Sequence, residues 1–177
     1  MNTNIRKYKD YNPLINHTSY IDQSSVVIGQ VIIHENCSIW PNVTIRGDVN
    51  KIEIKKNSNI QDNSVIHVTR KSPDNPEGVN THIGENVTIG HNCTIHGSQI
   101  SHNVLIGMSS VLLDNCIIKK DVIIGAGSLI SQNFVAESGW LYYGRPVKKI
   151  RKLTIKEINL IQESAKNYVK LKNDYMT

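Results

Sequence analysis

The chain has 177 residues, 39% hydrophobic and 6% aromatic, with 20 Lys and Arg against 15 Asp and Glu for a net charge of +5. That length allows one domain or one domain with an appendage, and so few aromatics exclude a core built on large rings. The surplus charge is terminal, with eight Lys and Arg against two acids in residues 147–172, so it reads as a solvated helix face and argues against a nucleic-acid groove.

Residues 1–24 are polar, irregular and tyrosine-containing, which predicts an arm laid over the first coil or over a neighbour. Arg6, Lys7 and Lys9 are followed by no apolar run, and no stretch approaches transmembrane length, so a cytoplasmic protein without a membrane partner is expected. From near Val26 a repeat of six begins. Ile33, Ile39 and Ile45 keep the period, and a three-residue excess carries it to Ile54, Ile60 and Ile66. Residues 68–82, holding Pro73, Asp74, Asn75, Pro76 and Gly78, cannot continue a coil and are predicted to leave it as a loop. Ile83, Ile89 and Ile95 resume the count, and after a step of eleven it runs through Ile106, Leu112, Ile118, Ile124 and Ile130. The pattern fades beyond Gln132, and residues 140–146 read as a last strand and turn. Thr154 and Glu157 form a capping box, with Ile155, Ile158, Ile161, Ala165 and Tyr168 at helical spacing after it. The expected organisation is an arm over 1–24, a repeat domain over 25–146 with its insertion at 68–82, and an amphipathic helical segment over 147–177.

A period of six belongs neither to a helix, at about 3.6, nor to a half-buried strand, at about 2.0, and it specifies a parallel β-helix. Each hexad makes one short strand and one corner, and three hexads make a triangular coil. The aliphatic residue points into the prism. A small or β-branched residue two positions earlier, such as Val87, Cys93, Ser110 or Ser128, also faces inward. Cys37, Cys93 and Cys116 all occupy that small position, so they read as core fillers and not as metal or disulfide partners. Gly84, Gly90, Gly107 and Gly125 follow aliphatics and are expected to ease corners.

Coils stack about 4.8 Å apart, which makes columns readable from the sequence. One column is Arg46, His67, His96 and Lys119; on the preceding face another is Pro41, Asp62, His91 and Asp114. His67 and His96 are close enough to share one metal, whose bonds to imidazole nitrogen are about 2.0 Å. His91 stands across a corner and points away, so a second subunit would have to bring it. Three prisms side by side would then hold three interfacial sites, each a three-histidine site with an open position that makes bound water acidic near neutral pH. His17, His34, His82 and His102 read as surface or loop histidines.

The stretches Ile39–Asp48, Asn59–His67 and Ile89–Gly97 resemble the γ-class carbonic anhydrase family of hexapeptide-repeat proteins, over about Ser24 to Arg151. The resemblance implies an all-β core formed by a left-handed parallel β-helix with a C-terminal α-helix packed on it, a homotrimer, and zinc, with iron or cobalt as alternatives. It makes His67, His91 and His96 the metal ligands. Arg46, Asp48 and Asp62 match an interfacial charge network, Gln61 the residue that hydrogen-bonds the metal-bound hydroxide, Asn59 a nearby polar residue, and Tyr142 a substrate-binding tyrosine. The implied reaction is hydration of CO₂ to bicarbonate. Two glutamates that export protons in the archetypal members are replaced here by Val49 and Arg70, so turnover is expected to be slow. Chemistry on an acyl-CoA thioester, and a non-catalytic trimer stapled by metal, are the competing readings.

Overall fold

The structure is a computed structural model and describes residues 4–177. The hexads form the coils of a left-handed parallel β-helix, with one C-terminal helix. Ile66 stacks between Ile45 and Ile95, and Ile60 between Ile39 and Ile89, in the expected register. The first and second faces make one 12-stranded sheet, joined through Val26–Ile33 and Thr44–Ile54, which run across the corner between them. The third face is an 8-stranded sheet running from Tyr20–Ile21 to Lys148–Lys152. The general right-handed rule for parallel crossovers depends on twisted strands and helical connections, and strands of two or three residues with tight corners supply neither.

The core is one continuous cluster of aliphatics along the prism, with Ile39, Ile45, Ile60, Ile66, Ile89 and Ile95 all at 0% exposure. Each such side chain contributes about 1.5–3 kcal/mol by burial. Cys37, Cys93 and Cys116 are buried free thiols in that core, and burial pushes the first and last up to about 12.

Four details differ from the sequence reading. The repeat begins before Val26: Leu14–Ile15 pairs with Ile32–Ile33, and Tyr20–Ile21 with Ser38–Ile39, so much of the supposed arm is coil. Ile15, Ile21 and Val27 keep the period, with the buried Ser19 and Ser25 at the small position, and the polar residues around them mask it. The step of eleven conceals an inward residue, Ile100, which stacks on Ile83 and Ile118. Ser98 takes the small position before it, and the corner is one residue short. Counting through Ile100 moves Lys119 off the histidine column, where Leu113 follows His96, and puts Met108 rather than Asp114 beyond His91.

The corners are turned by asparagine and not by the glycines after the aliphatics. Asn36, Asn57, Asn63 and Asn92 have φ between +56° and +63°, a left-handed conformation that asparagine tolerates. Along one corner Asn57 donates to Asn86 at 3.0 Å, and Asn86 to Asn103 at 3.2 Å. Gly84 serves close stacking instead, since a Cβ there would lie 2.6 Å from the backbone carbon of Ser101 in the next coil.

The insertion leaves the coil as expected but is ordered by antiparallel bridges Thr69↔Val79 and Ser72↔Asn75, and Thr81–Ile83 already belongs to the second face. The helix Ile155–Met176 starts at the capping box of Thr154 and Glu157. It lies on the third face of its own prism. Ile161 and Ala165 are buried there, Thr88 and Ser164 hydroxyls meet at 3.1 Å, and Trp40 packs edge-on against Tyr168 and Tyr175. Ile155 drops out of the stripe and is 80% exposed. Among the described residues no helix is long and apolar enough to cross a membrane.

Candidate metal centre

His67 and His96 end the strands Val65–His67 and Thr94–His96 and pair in register on the first face. Each follows an inward isoleucine, so strand alternation turns both rings outward. His67 Nδ1 and His96 Nε2 face each other at 3.1 Å. The other nitrogen of each ring is tied to a carboxylate. His67 Nε2 donates to Asp48 Oδ1 at 3.0 Å, and His96 Nδ1 donates to Asp114 Oδ1 at 2.5 Å. Asp48 also accepts from Arg46, and Asp114 Oδ2 accepts from Thr69 Oγ1 at 2.6 Å.

This geometry suits a metal. Two imidazole nitrogens on a tetrahedral zinc are about 3.3 Å apart, given bonds of about 2.0–2.1 Å, so the facing pair spans one edge of such a site. Carboxylates on the outer nitrogens fix the tautomer and the ring plane. Burial raises the Asp48 carboxyl, but hydrogen bonds from His67 and Arg46 outweigh it and hold the group below the usual range. Burial lowers His67, with the Arg46 charge acting the same way against Asp48. An ion pair would raise His67, and the two shifts therefore describe an ionised carboxylate bonded to a neutral imidazole, which is the form that binds metal.

His91 follows Thr88–Ile89 of the third face, just before the corner that leads into Thr94–His96, and so stands at the far edge of the first face from His67 and His96. Its Nδ1 donates to Asp62 Oδ2 at 2.9 Å, which leaves Nε2 unengaged by that bond on a side chain 40% exposed. Gln61 precedes Asp62 and is nearly buried. Its Nε2 donates to Asn59 Oδ1 at 3.2 Å, and Asn59 Nδ2 donates to Thr88 Oγ1 at 3.0 Å, next to Ser164 of the helix. The expected residues thus fall into two groups, Arg46, Asp48, His67 and His96 at one edge and Asn59, Gln61, Asp62 and His91 at the other. Among the described residues no three His, Cys, Asp or Glu side chains of this chain converge on one metal position.

Tyr142 is not beside these groups. It stacks on Ile124 in an inward position, is 1% exposed, packs edge-on against Phe134, and accepts a hydrogen bond from the Glu137 N–H at 2.7 Å. Alternation along the last strand decides this, and Tyr143 is the tyrosine that faces out, 56% exposed with its ring over Gly125. Tyr143 continues the outward column of Gln61, Gly90, Gly107 and Gly125. Tyr142→Ala should therefore cost about 3–5 kcal/mol of stability, as for other large core truncations, without changing metal affinity. Denaturant melts paired with metal titration check this.

Thr69 escaped the sequence reading, which placed Asp114 beside His91 and not behind His96. The signal was Gly97, after His96: a Cβ there would collide with the Asp114 carboxylate, so this glycine opens the path by which Asp114 reaches the ring.

The bacterial transferase hexapeptide family (six repeats) matches residues 12–47 and 97–132. Protein YrdA of Escherichia coli (strain K12) is 50% identical over 172 residues, covering 97% of this chain and 94% of that protein. The mitochondrial gamma carbonic anhydrase 2 of Arabidopsis thaliana is 41% identical over 162 residues, covering 92% of this chain and 58% of that one. The crystal structure of a hexapeptide transferase family protein from Anaplasma phagocytophilum superposes with a TM-score of 0.92 at 37% identity, over 99% of both chains. Fold and repeat define a hexapeptide-repeat protein. Within that class, the chain belongs with YrdA, and it is similar to gamma carbonic anhydrases, of whose length it spans 58%.

Proposed function

We propose that this protein is a metal-dependent carbonic anhydrase of the γ type, hydrating CO₂ reversibly to bicarbonate at sites shared between the subunits of a homotrimer. The facing nitrogens of His67 and His96, each backed by a carboxylate, carry this reading. His67 and His96 of one subunit and His91 of the next would hold the metal, zinc by the resemblance. A divalent cation on three imidazoles supplies Lewis acidity and brings the pKa of water to about 7. Asp48 and Asp114 keep the imidazoles oriented. Gln61, aligned by Asn59, presents an amide to the reacting oxygen, and Arg46 holds Asp48 while its exposed side reaches toward the neighbouring subunit.

The trimer has support in the first face itself. Its outward residues Val26, Thr44, Val65, Thr94, Val111 and Leu129 form a flat β-branched and aliphatic stripe whose side chains stay half-buried or, at Val65, exposed. The stripe lies between the His91 edge and the His67 edge, so burying it against other copies brings unlike edges together. Light scattering should show a trimer, and stopped-flow CO₂ hydration should require added metal. A monomer with bound metal would contradict the assembly, and a fully loaded trimer without hydration would contradict the reaction.

The His96–Asp114 pair also favours a second reading, since a carboxylate-backed histidine is what base-assisted acyl transfer from a thioester needs. A second histidine facing the first at 3.1 Å has no role in that chemistry.

A further inference from the structure

The net charge of +5 is concentrated on one strand and its flanks. Residues 145–157 hold Arg145, Lys148, Lys149, Arg151, Lys152 and Lys156 against Glu157 alone, which leaves the rest of the chain balanced. Most of this charge lies ahead of the helix, on Lys148–Lys152, and not on the helix's outer face. All five side chains of that strand are exposed. It therefore covers no core, and the end of the prism is closed instead by Tyr142 and Val147.

The strand is held antiparallel to Trp140–Tyr143, by Lys149 Nζ 3.8 Å from the centre of the Trp140 ring, and by Arg151 bonded to Glu157 at 2.6 and 2.9 Å. It ends the 8-stranded sheet, so among the described residues its far edge has no neighbouring strand. Lys148 and Lys152 make no ion pair among the described residues, and the pairing with Trp140–Tyr143 slips at Ile150, 50% exposed, which puts the two lysines on opposite faces of the strand.

We infer that this edge is a docking site for an extended acidic segment of another protein, which adds a strand to the sheet. An open edge offers a row of backbone donors and acceptors, and strand addition uses them for affinity. Lysines on such an edge repel a like edge, so a second copy of this chain is the wrong occupant. A segment with Glu or Asp on both of its faces satisfies the backbone row on either side of the slip at Ile150 and pairs with Lys148 on one face and Lys152 on the other. A lipid surface or a nucleic acid would use the charge and leave the backbone row unpaired.

The test uses a fluorescent, Glu-rich peptide of about ten residues with acids on both faces of an extended strand, titrated into the 177-residue protein at low salt, with amide hydrogen exchange on the same complex. The expected result is saturable binding, at least ~tenfold weaker in Lys148→Glu with Lys152→Glu, and slowed exchange confined to residues 148–152. Those side chains are exposed, so an unchanged melting midpoint verifies the fold of the variant. Absence of saturable binding, binding that leaves exchange on the wild-type strand unchanged, or binding of anionic vesicles or single-stranded DNA in preference to the peptide would each overturn the inference.

Discussion

His91→Ala should empty the metal site as fully as His67→Ala or His96→Ala, even though His91 contacts neither histidine in its own chain. An open three-histidine site has no spare ligand, and loss of any one removes a coordinate bond that nothing nearby replaces. The comparison carries its own control. Asp114→Asn keeps all three ligands and disturbs the carboxylate behind the His96 ring together with its bond from Thr69, so it should weaken metal by about 10–100-fold and leave the site loadable at higher concentration. The His91 side chain is half-exposed and, among the described residues, bonded only to Asp62, so its removal should change the stability of the metal-free protein by no more than about 0.5 kcal/mol. Elemental analysis after dialysis ranks the four variants. Full occupancy in His91→Ala would show that His91 is a surface histidine.

Hydration should rise steeply with imidazole-type buffer. Regenerating the reactive water requires a proton to leave, and a small diffusible base can carry it where Val49 and Arg70 stand in place of the exporting glutamates. Val49 packs against the core, and Arg70 is an exposed cation on the insertion, so neither can accept a proton. Gln61→Ala should lower the rate at every buffer concentration, because it alters the reacting oxygen and leaves export alone. Val49→Glu should raise the rate at low buffer. A rate independent of buffer would place export on another group, with exposed Tyr143 the first to test.

The fold was legible because hexads impose a column register, and most inward residues follow from the small-x-aliphatic pattern. What was missed has physical causes. Ile15 and Ile21 sit among polar residues, and Ile100 follows a corner one residue short, so strict counting passes over them. That single slip moved Asp114 from the edge of His96 to the edge of His91 and hid its hydrogen bond. Tyr142 and Tyr143 are adjacent, and only the alternation of the last strand, fixed by Tyr142 stacking on Ile124, tells inward from outward. His67 and His96 were legible as a pair because stacking alone brings them together. Their completion by another subunit depends on how prisms pack, which no single-chain periodicity encodes.

The central claim, that each site takes His67 and His96 from one subunit and His91 from another, is tested most directly by mixing inactive variants. His91→Ala and His67→Ala proteins, each metal-free alone, would be unfolded together, refolded in equal amounts and assayed for zinc. Every mixed trimer contains one junction with all three histidines intact, so random assembly predicts about one site in four occupied. No zinc in the mixture, with trimers formed, would contradict the shared site, as would zinc retained by either variant alone.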